Sequence, residues 1–455
     1  MTGLDKARNV AFDILKGYFA SNKLLKDLLD REFSSHTLSS LDKRFTYTLV
    51  KGVVRQLYYL DFAISVFSNK RLKNIDRDLL TILRMALYQI LFMDKVPMYS
   101  AINESVELVK KRIAVGPSKF VNAILRKISS TKNFRDYLNN SIEKNTVSFK
   151  KKIGIMYSFP EWILAYWLES YSRKTVVKIC KSLNEKPLYC IRFDPERIEK
   201  AELIKKLGLK EEAIKNQELP GSLSRSNIQV ANLSGVTGSP FFRQGLFYIQ
   251  DIASQIAVEY FARPRAGEKI LDLCAAPGGK TILMAQLASS ADILAVDKNT
   301  NRLQKIEENL TRLNIKNVKV VQGDATNLDL GNQLFDKIFI DAPCSAFGTI
   351  SKNPDVKYNK KGEDLKRLQA NSLKILDNAK KYLLPGGRII FYTCTLSRIE
   401  NQQTVRQFIE GNRGRYKIEP CKYLPGPKKD DGWLEIMPYF FNSEAGFVCS
   451  LVKLA

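Results

Sequence analysis

Apolar residues recur along the first third of the chain at the spacing of one helix face. Ala7, Val10, Ala11, Ile14, Leu15 and Tyr18 follow this period, as do Leu79, Ile82, Leu83, Ala86, Leu87, Ile90 and Leu91. Val121, Ile124, Leu125 and Ile128 close the series. Such stripes predict amphipathic helices packed into a shared core, so residues 1–130 are expected to be all-helical. Residues 131 to about 160 are polar and basic, Lys150-Lys151-Lys152 among them, and predict a connector. From there to 245 helical patterns (Trp162 to Tyr171, Val176 to Leu183) mix with a strand pattern at Leu188 to Phe193, ending in Gly235-Val236-Thr237-Gly238-Ser239-Pro240. Residues 131–245 therefore read as a connector and a small α+β module. From 246 to 455 strands and helices alternate. Strands are predicted at Lys269–Cys274, Asp292–Asp297, Val318–Gln322, Asp336–Asp341 and Arg388–Thr393, with helices at Lys280–Ala288, Thr300–Leu313, Asp364–Tyr382 and Ile399–Ile409. This alternation predicts a doubly wound, Rossmann-like α/β domain, so the chain as a whole is multidomain.

Charge adds a partner to this picture. Lys and Arg number 72 against 47 Asp and Glu, a formal net charge of +25. Such an excess favours a polyanionic partner, nucleic acid above all, through steering and counterion release. Taken singly, Arg55, Lys110, Lys111, Arg112, Arg126 and Lys127 read as solvated helix faces. No long uncharged apolar run predicts a transmembrane helix, and the segment Met1-Thr2-Gly3-Leu4-Asp5-Lys6 lacks the apolar core of a signal peptide. A cytoplasmic location without membrane contact is expected. The 7 cysteines, an odd number without close CxxC spacing, argue against a disulfide framework and a zinc ribbon, and no metal is expected. Cys180, Cys190, Cys421 and Cys449 read as buried or incidental.

The remaining cysteines carry more. A strand leads into Asp272-Leu273-Cys274-Ala275-Ala276-Pro277-Gly278-Gly279-Lys280-Thr281 and then a helix, an arrangement that brings backbone close to a ligand at a helix N-terminus. Asp297 ends the next strand, near the spacing at which an acid binds ribose hydroxyls, and Asp324 follows the third, where an adenine amino group can be met. Gly279-Lys280-Thr281 also ends like a P-loop, with Ile338-Phe339-Ile340-Asp341 as its magnesium-holding strand, but that motif places a glycine where this chain has Cys274. Two further cysteines follow apolar runs, in Asp341-Ala342-Pro343-Cys344 and in Tyr392-Thr393-Cys394-Thr395. Strand carboxyl ends of an open α/β sheet face the ligand crevice, so both thiols can meet one substrate. A thiolate that adds to a pyrimidine ring activates its carbon 5. With His36 the one histidine in the chain, histidine-assisted nucleophiles have little material. Local chemistry alone leaves open which thiol attacks.

Two resemblances sharpen these expectations. The helical region resembles the NusB-like RNA-binding bundle in Ala7-Arg8, Asp42-Lys43-Arg44 and Leu49-Val50-Lys51-Gly52-Val53-Val54-Arg55. Ala101-Ile102-Asn103-Glu104-Ser105-Val106 and Phe120-Val121-Asn122-Ala123-Ile124-Leu125-Arg126 add to it. Residues 246–455 resemble the Sun/RsmB family of RNA cytosine-5 methyltransferases in Gln250-Asp251-Ile252-Ala253-Ser254-Gln255, the Asp272–Thr281 loop and Asp341-Ala342-Pro343-Cys344-Ser345. Gly348-Thr349-Ile350, Asn353-Pro354-Asp355, Thr393-Cys394 and Glu400-Asn401 complete the match. The NusB-like region points to the 16S rRNA branch. The resemblance implies S-adenosylmethionine as cofactor, held by residues 274–280, with Asp297 on the ribose, Asp324 on the adenine and Asp341 also at the cofactor site. It implies Cys394 as nucleophile and Cys344 as the releasing group, with Asp341 at cytosine N3 and Lys280 orienting the base. A monomer acting on RNA, 16S rRNA in particular, is expected. A tRNA cytosine-5 methyltransferase and a non-catalytic RNA-binding factor are the alternatives. Thr395, Ile399 and Ala445-Gly446-Phe447-Val448 depart from the family pattern, around the chemical groups rather than at them.

Overall fold

Each apolar stripe of the first third is the inner face of a helix. Ala7, Val10, Ala11, Ile14, Leu15 and Tyr18 are buried on Gly3–Ala20; Leu79, Ile82, Leu83, Ala86, Leu87 and Leu91 are buried on Arg77–Phe92. Side-chain caps start two of these helices, Ser39 accepting from the amide of Asp42 and Asp76 from those of Asp78 and Leu79, which satisfies amides a helix start leaves unpaired. The computed structural model describes residues 3–21, 23–68, 70–214, 219, 221–233, 235–421 and 432–454. Among these, no helix is long and apolar enough to cross a membrane.

The chain divides into two compact units, Met1–Asn184 with Asn353–Asn359, and Glu185–Lys352 with Lys360–Ala455. The stretch read as a connector is helical, with Phe134–Asn145 and Phe149–Tyr157, and two more helices follow at Glu161–Leu168 and Arg173–Asn184. Phe134, Leu138 and Ile142 are buried one turn apart, a sparse stripe that a polar, basic background hides. Arg55 also departs from its reading as a solvated residue, since it is buried.

The short segment Asn353–Asn359 belongs to this helical unit. The Lys357 ammonium is fully buried there and donates to the carbonyls of Arg55 (2.9 Å) and Tyr157 (3.4 Å) and to Asn184 Oδ1 (3.1 Å), beside the ring of Phe159. Burial drives its pKa well down. Asp355 Oδ2 accepts the amide of Leu25, and the Tyr358 hydroxyl donates to the carbonyl of Ser158.

The second unit begins with a small antiparallel sheet, ordered β2-β1-β3, of β1 (Tyr189–Phe193), β2 (Asn227–Val230) and β3 (Phe247–Ile249). Its main sheet has β4 (Lys269–Leu273), β5 (Asp292–Asp297), β6 (Val318–Gln322), β7 (Phe335–Asp341) and β8 (Leu383–Thr393) in parallel. Three antiparallel strands extend it: β9 (Tyr416–Glu419), β10 (Leu434–Ile436) and β11 (Gly446–Lys453). The order β10-β11-β8-β7-β4-β5-β6 makes the chain run outward from β4 to β6 and return to β7 beside β4. A ligand crevice forms at such a reversal, outside the strand carboxyl ends. Strand limits agree with the sequence pattern within a residue or two, except that β8 starts five residues earlier, at Leu383. The last predicted helix opens as a π-turn, Ile399–Gln403, before Thr404–Gly411.

Candidate active site

The crevice is built from strand ends. Beyond β4 the chain turns through Cys274, held at φ +61°, and Gly278, at φ +97°, before the helix Gly279–Leu287 begins. A Cβ at Gly278 would come within 3.1 Å of the Ile306 side chain, so glycine is needed for backbone shape and for space. Asp297, at the end of β5, grips this loop. One of its oxygens accepts the amide of Ala276 (3.0 Å) and the other that of Asn299 (3.0 Å). Gln250 ties the helix start down by donating to the carbonyl of Gly279 (2.9 Å). Asp324 lies past β6, where it accepts Lys298 Nζ at 2.9 Å and the Thr326 amide and hydroxyl. The bond from Lys298, with those from Thr326, holds its carboxyl down at about 2.

Beneath the loop Asp272 is fully buried. Its Oδ2 accepts the Thr281 hydroxyl at 2.5 Å, whereas Oδ1 has no protein partner. Burial pushes its carboxyl up to about 7, against the pull of Thr281 and Lys280.

Lys280 does not point into solvent. Its ammonium pairs with Asp341 Oδ2 at 2.7 Å and lies 4.6 Å from the centre of the Tyr392 ring. Burial alone would lower its pKa, but the adjacent Asp341 carboxylate outweighs this and raises it, so it stays charged. β7 and β8 are parallel neighbours with Asp341 opposite Tyr392, which brings the following loops together. The sulfurs of Cys344 and Cys394 are 3.5 Å apart as a result. The hydrogen bond with Cys344, then burial, then the charges of Asp341 and Glu444 push the Cys394 thiol well up. Lys280, Asp341, Cys344, Cys394 and the 274–280 loop thus share one crevice.

A second set of residues supports this group. Glu400 accepts the amide (2.7 Å) and hydroxyl (2.6 Å) of Ser345, whose hydroxyl also meets Thr395 Oγ1 at 2.7 Å. Thr393 donates to Asn401 Oδ1, and Asn401 donates onward to the carbonyl of Thr395. Gly348 donates its amide to the carbonyl of Cys394 (2.9 Å) and accepts that of Ala445 (3.1 Å). Lys352, Asp251 and Glu444 form an ion-pair cluster at the far end of the Cys344 loop. The Glu400-Asn401 pair was visible as a motif, but Lys352 and Glu444 carry no local signal.

The profile of the NusB family matches residues 5–130, and that of the 16S rRNA methyltransferase RsmB/F family matches residues 259–451. The probable ribosomal RNA small subunit methyltransferase B of Bacillus subtilis is 31% identical over 95% of this chain and 94% of its own length. The chain belongs to the RsmB/F family. Ribosomal RNA small subunit methyltransferase B of Shewanella oneidensis is likewise 31% identical, over 98% of both chains. A solved structure titled PH0851 shares the fold, with a TM-score of 0.77 and 21% identity over 98% of each chain. As an RsmB/F protein the chain is an RNA methyltransferase that uses S-adenosylmethionine. The P-loop reading of Gly279-Lys280-Thr281 falls with that.

The crevice suits this cofactor. Asp297 and Asp341 offer carboxylates to a ligand bearing a sulfonium and an ammonium group, and Asp272 Oδ1 is an unpartnered buried oxygen beside the loop. The carboxylate of Asp297 accepts one amide on each oxygen, which leaves lone pairs for ribose hydroxyls.

Proposed function

We propose that this protein methylates carbon 5 of a cytosine in 16S rRNA through a covalent cysteine–cytosine adduct, as a cytoplasmic monomer. The observation that carries this reading is the pair of sulfurs 3.5 Å apart beside the Lys280–Asp341 ion pair. A two-cysteine site has no evident use in methylating an already nucleophilic nitrogen or oxygen, whereas carbon 5 of cytosine needs activation.

The 274–280 loop and Asp341 hold the cofactor, Asp297 takes the ribose and Asp324 lies toward the adenine. Bound there, S-adenosylmethionine supplies an electrophilic methyl group and departs as a neutral thioether. Cys394, as thiolate, adds to carbon 6; the electron pair of the 5,6 double bond moves to carbon 5, and charge develops toward N3. Asp341 takes the proton that Cys394 gives up and shares it with N3 in a hydrogen bond, while the Lys280 ammonium offsets the carboxylate left as that proton moves toward N3. After carbon 5 has been methylated, Cys344, next to Cys394 and in its thiolate form after giving its own proton to solvent, accepts the carbon 5 proton. The C–H electron pair then restores the double bond and expels the Cys394 sulfur. The division of labour, Cys394 attacking and Cys344 releasing, is the one the family resemblance implies.

This assignment makes opposite forecasts for two variants. Cys394→Ala abolishes methyl transfer and forms no RNA adduct, and Cys344→Ala gives a complex that survives SDS on a denaturing gel. A reversed gel pattern exchanges the two roles. Methylation by Cys394→Ala at the parent's rate would sink the covalent reading. Bisulfite sequencing of RNA from a deletion strain identifies the cytosine, and its loss from tRNA instead of 16S rRNA would overturn the substrate.

A further inference from the structure

The Cys344 loop is pinned in three places. Glu400 holds Ser345, and Gly348 is hydrogen-bonded to Cys394 and Ala445. The third pin is Lys352, at the loop's far end, which lies outside any role assigned so far. Its ammonium is 2.7 Å from Asp251 Oδ2 and 3.1 Å from Glu444 Oε1. Both acids are fixed to other elements. Asp251 caps the helix Ile252–Ile256 by accepting the amide of Ala253, and the same oxygen accepts the amide of Glu444 at 3.1 Å. Glu444 lies just before β11, which pairs with β8 so that Phe447 faces Thr393. Lys352 therefore fastens the Cys344 loop to a helix start and to the strand beside Cys394.

We propose that Lys352, clamped by Asp251 and Glu444, is a positioning residue for the release step, setting where Cys344 stands relative to the adduct. This inference rests on the covalent reading above. The reason for selectivity is mechanical. Cys394 directly follows β8 and has its own support in Thr393 and Asn401, whereas Cys344 is held through the pins of its loop. Removing the Lys352 ammonium takes away one of the loop's pins and leaves two half-buried carboxylates adjacent, which repel. Attack by Cys394 survives such a change, whereas proton removal at carbon 5 suffers, since an ångström of misplacement slows a step steeply.

The test uses the full-length enzyme, an unmodified 16S rRNA transcript and tritiated S-adenosylmethionine. Lys352→Met is expected to lower kcat roughly ten- to a hundredfold with KM for RNA unchanged. The SDS-resistant complex should rise above the parent's level toward that of Cys344→Ala. Glu444→Gln, which keeps the shape and removes one partner charge, shifts the same partition less. Lys352→Arg, whose guanidinium can bridge both carboxylates, restores turnover and clears the complex. A fall in kcat without extra complex, or with complex unchanged and only the melting temperature lowered, overturns the proposal. Complex trapped by Cys344→Ala but not by Lys352→Met overturns it alone. Absence of complex in Cys344→Ala as well overturns the covalent reading on which it stands.

Discussion

At the scale of single residues, the site is a set of groups whose protonation the surroundings decide. The hydrogen bond with Cys344, burial and two nearby carboxylates all disfavour the Cys394 thiolate, so Cys394 rests as a thiol. Its thiolate fraction grows as pH rises, about tenfold per unit while pH stays below the pKa. Alkylation of Cys394 by iodoacetamide, followed by mass spectrometry of its peptide, should therefore climb throughout neutral to alkaline pH. Cys344→Ala, by removing the leading cause, should bring the climb to lower pH; a rate flat across that range would mean the thiolate is already formed at neutrality. Asp272 is the counterpart on the cofactor side, an acid near 7 that gains a proton close to physiological pH. Much of this residue level was readable in the chain itself. Asp272, Asp297, Asp341, Cys344 and Cys394 all stand at strand ends, where an apolar run stops and a turn begins. Lys280 was harder, because a lysine in a helix's first turn looks the same in sequence whether it pairs with Asp341 or meets water. Lys352 and Glu444 were invisible, since neither sits in a pattern and they meet only once β11 lies beside β8.

At the scale of elements, parallel pairing does most of the placing. β7 beside β8 sets Cys344 next to Cys394, and β4 beside β7 sets the cofactor loop next to Asp341. The loop after Cys344 is tightly packed at Gly348. A Cβ at Gly348 would lie 2.0 Å from the carbonyl oxygen of Ala445 and 2.8 Å from that of Cys394, both backbone atoms with no rotamer to yield. Gly348→Ala should cost about 1–3 kcal/mol of stability by overpacking, and more than that in activity because the displaced atoms flank Cys394. Thermal denaturation alongside methyl-transfer rates would separate the two; an unchanged melting temperature and rate would show that the turn relaxes freely. Strand positions were legible because buried parallel strands read as apolar runs ended by an acid or a cysteine. The helices from Phe134 to Asn184 were less so. They are short, their buried positions are sparse, and a basic surface dilutes their period.

At the scale of the whole molecule, the charge of +25 is the dominant fact. If this excess engages RNA phosphates, affinity for 16S rRNA should fall by more than about tenfold between roughly 50 and 200 mM salt, as counterion release requires. Filter binding with the full chain would show it, and an affinity indifferent to salt would rule out charge as the source of binding. The chain also passes between its two compact units three times, because Asn353–Asn359 is part of the helical unit while the residues on both sides of it are not. That has a practical meaning for anyone preparing fragments. Cutting after Asn184 does not yield two independent pieces: it leaves the Lys357 ammonium, the Asp355 carboxylate and the Tyr358 ring without the helices that enclose them, on a fragment that must now solvate them. Split halves would have to be produced together, and a protease nick between residues 184 and 185 would leave them joined by a segment gripped at its middle rather than by a severed thread.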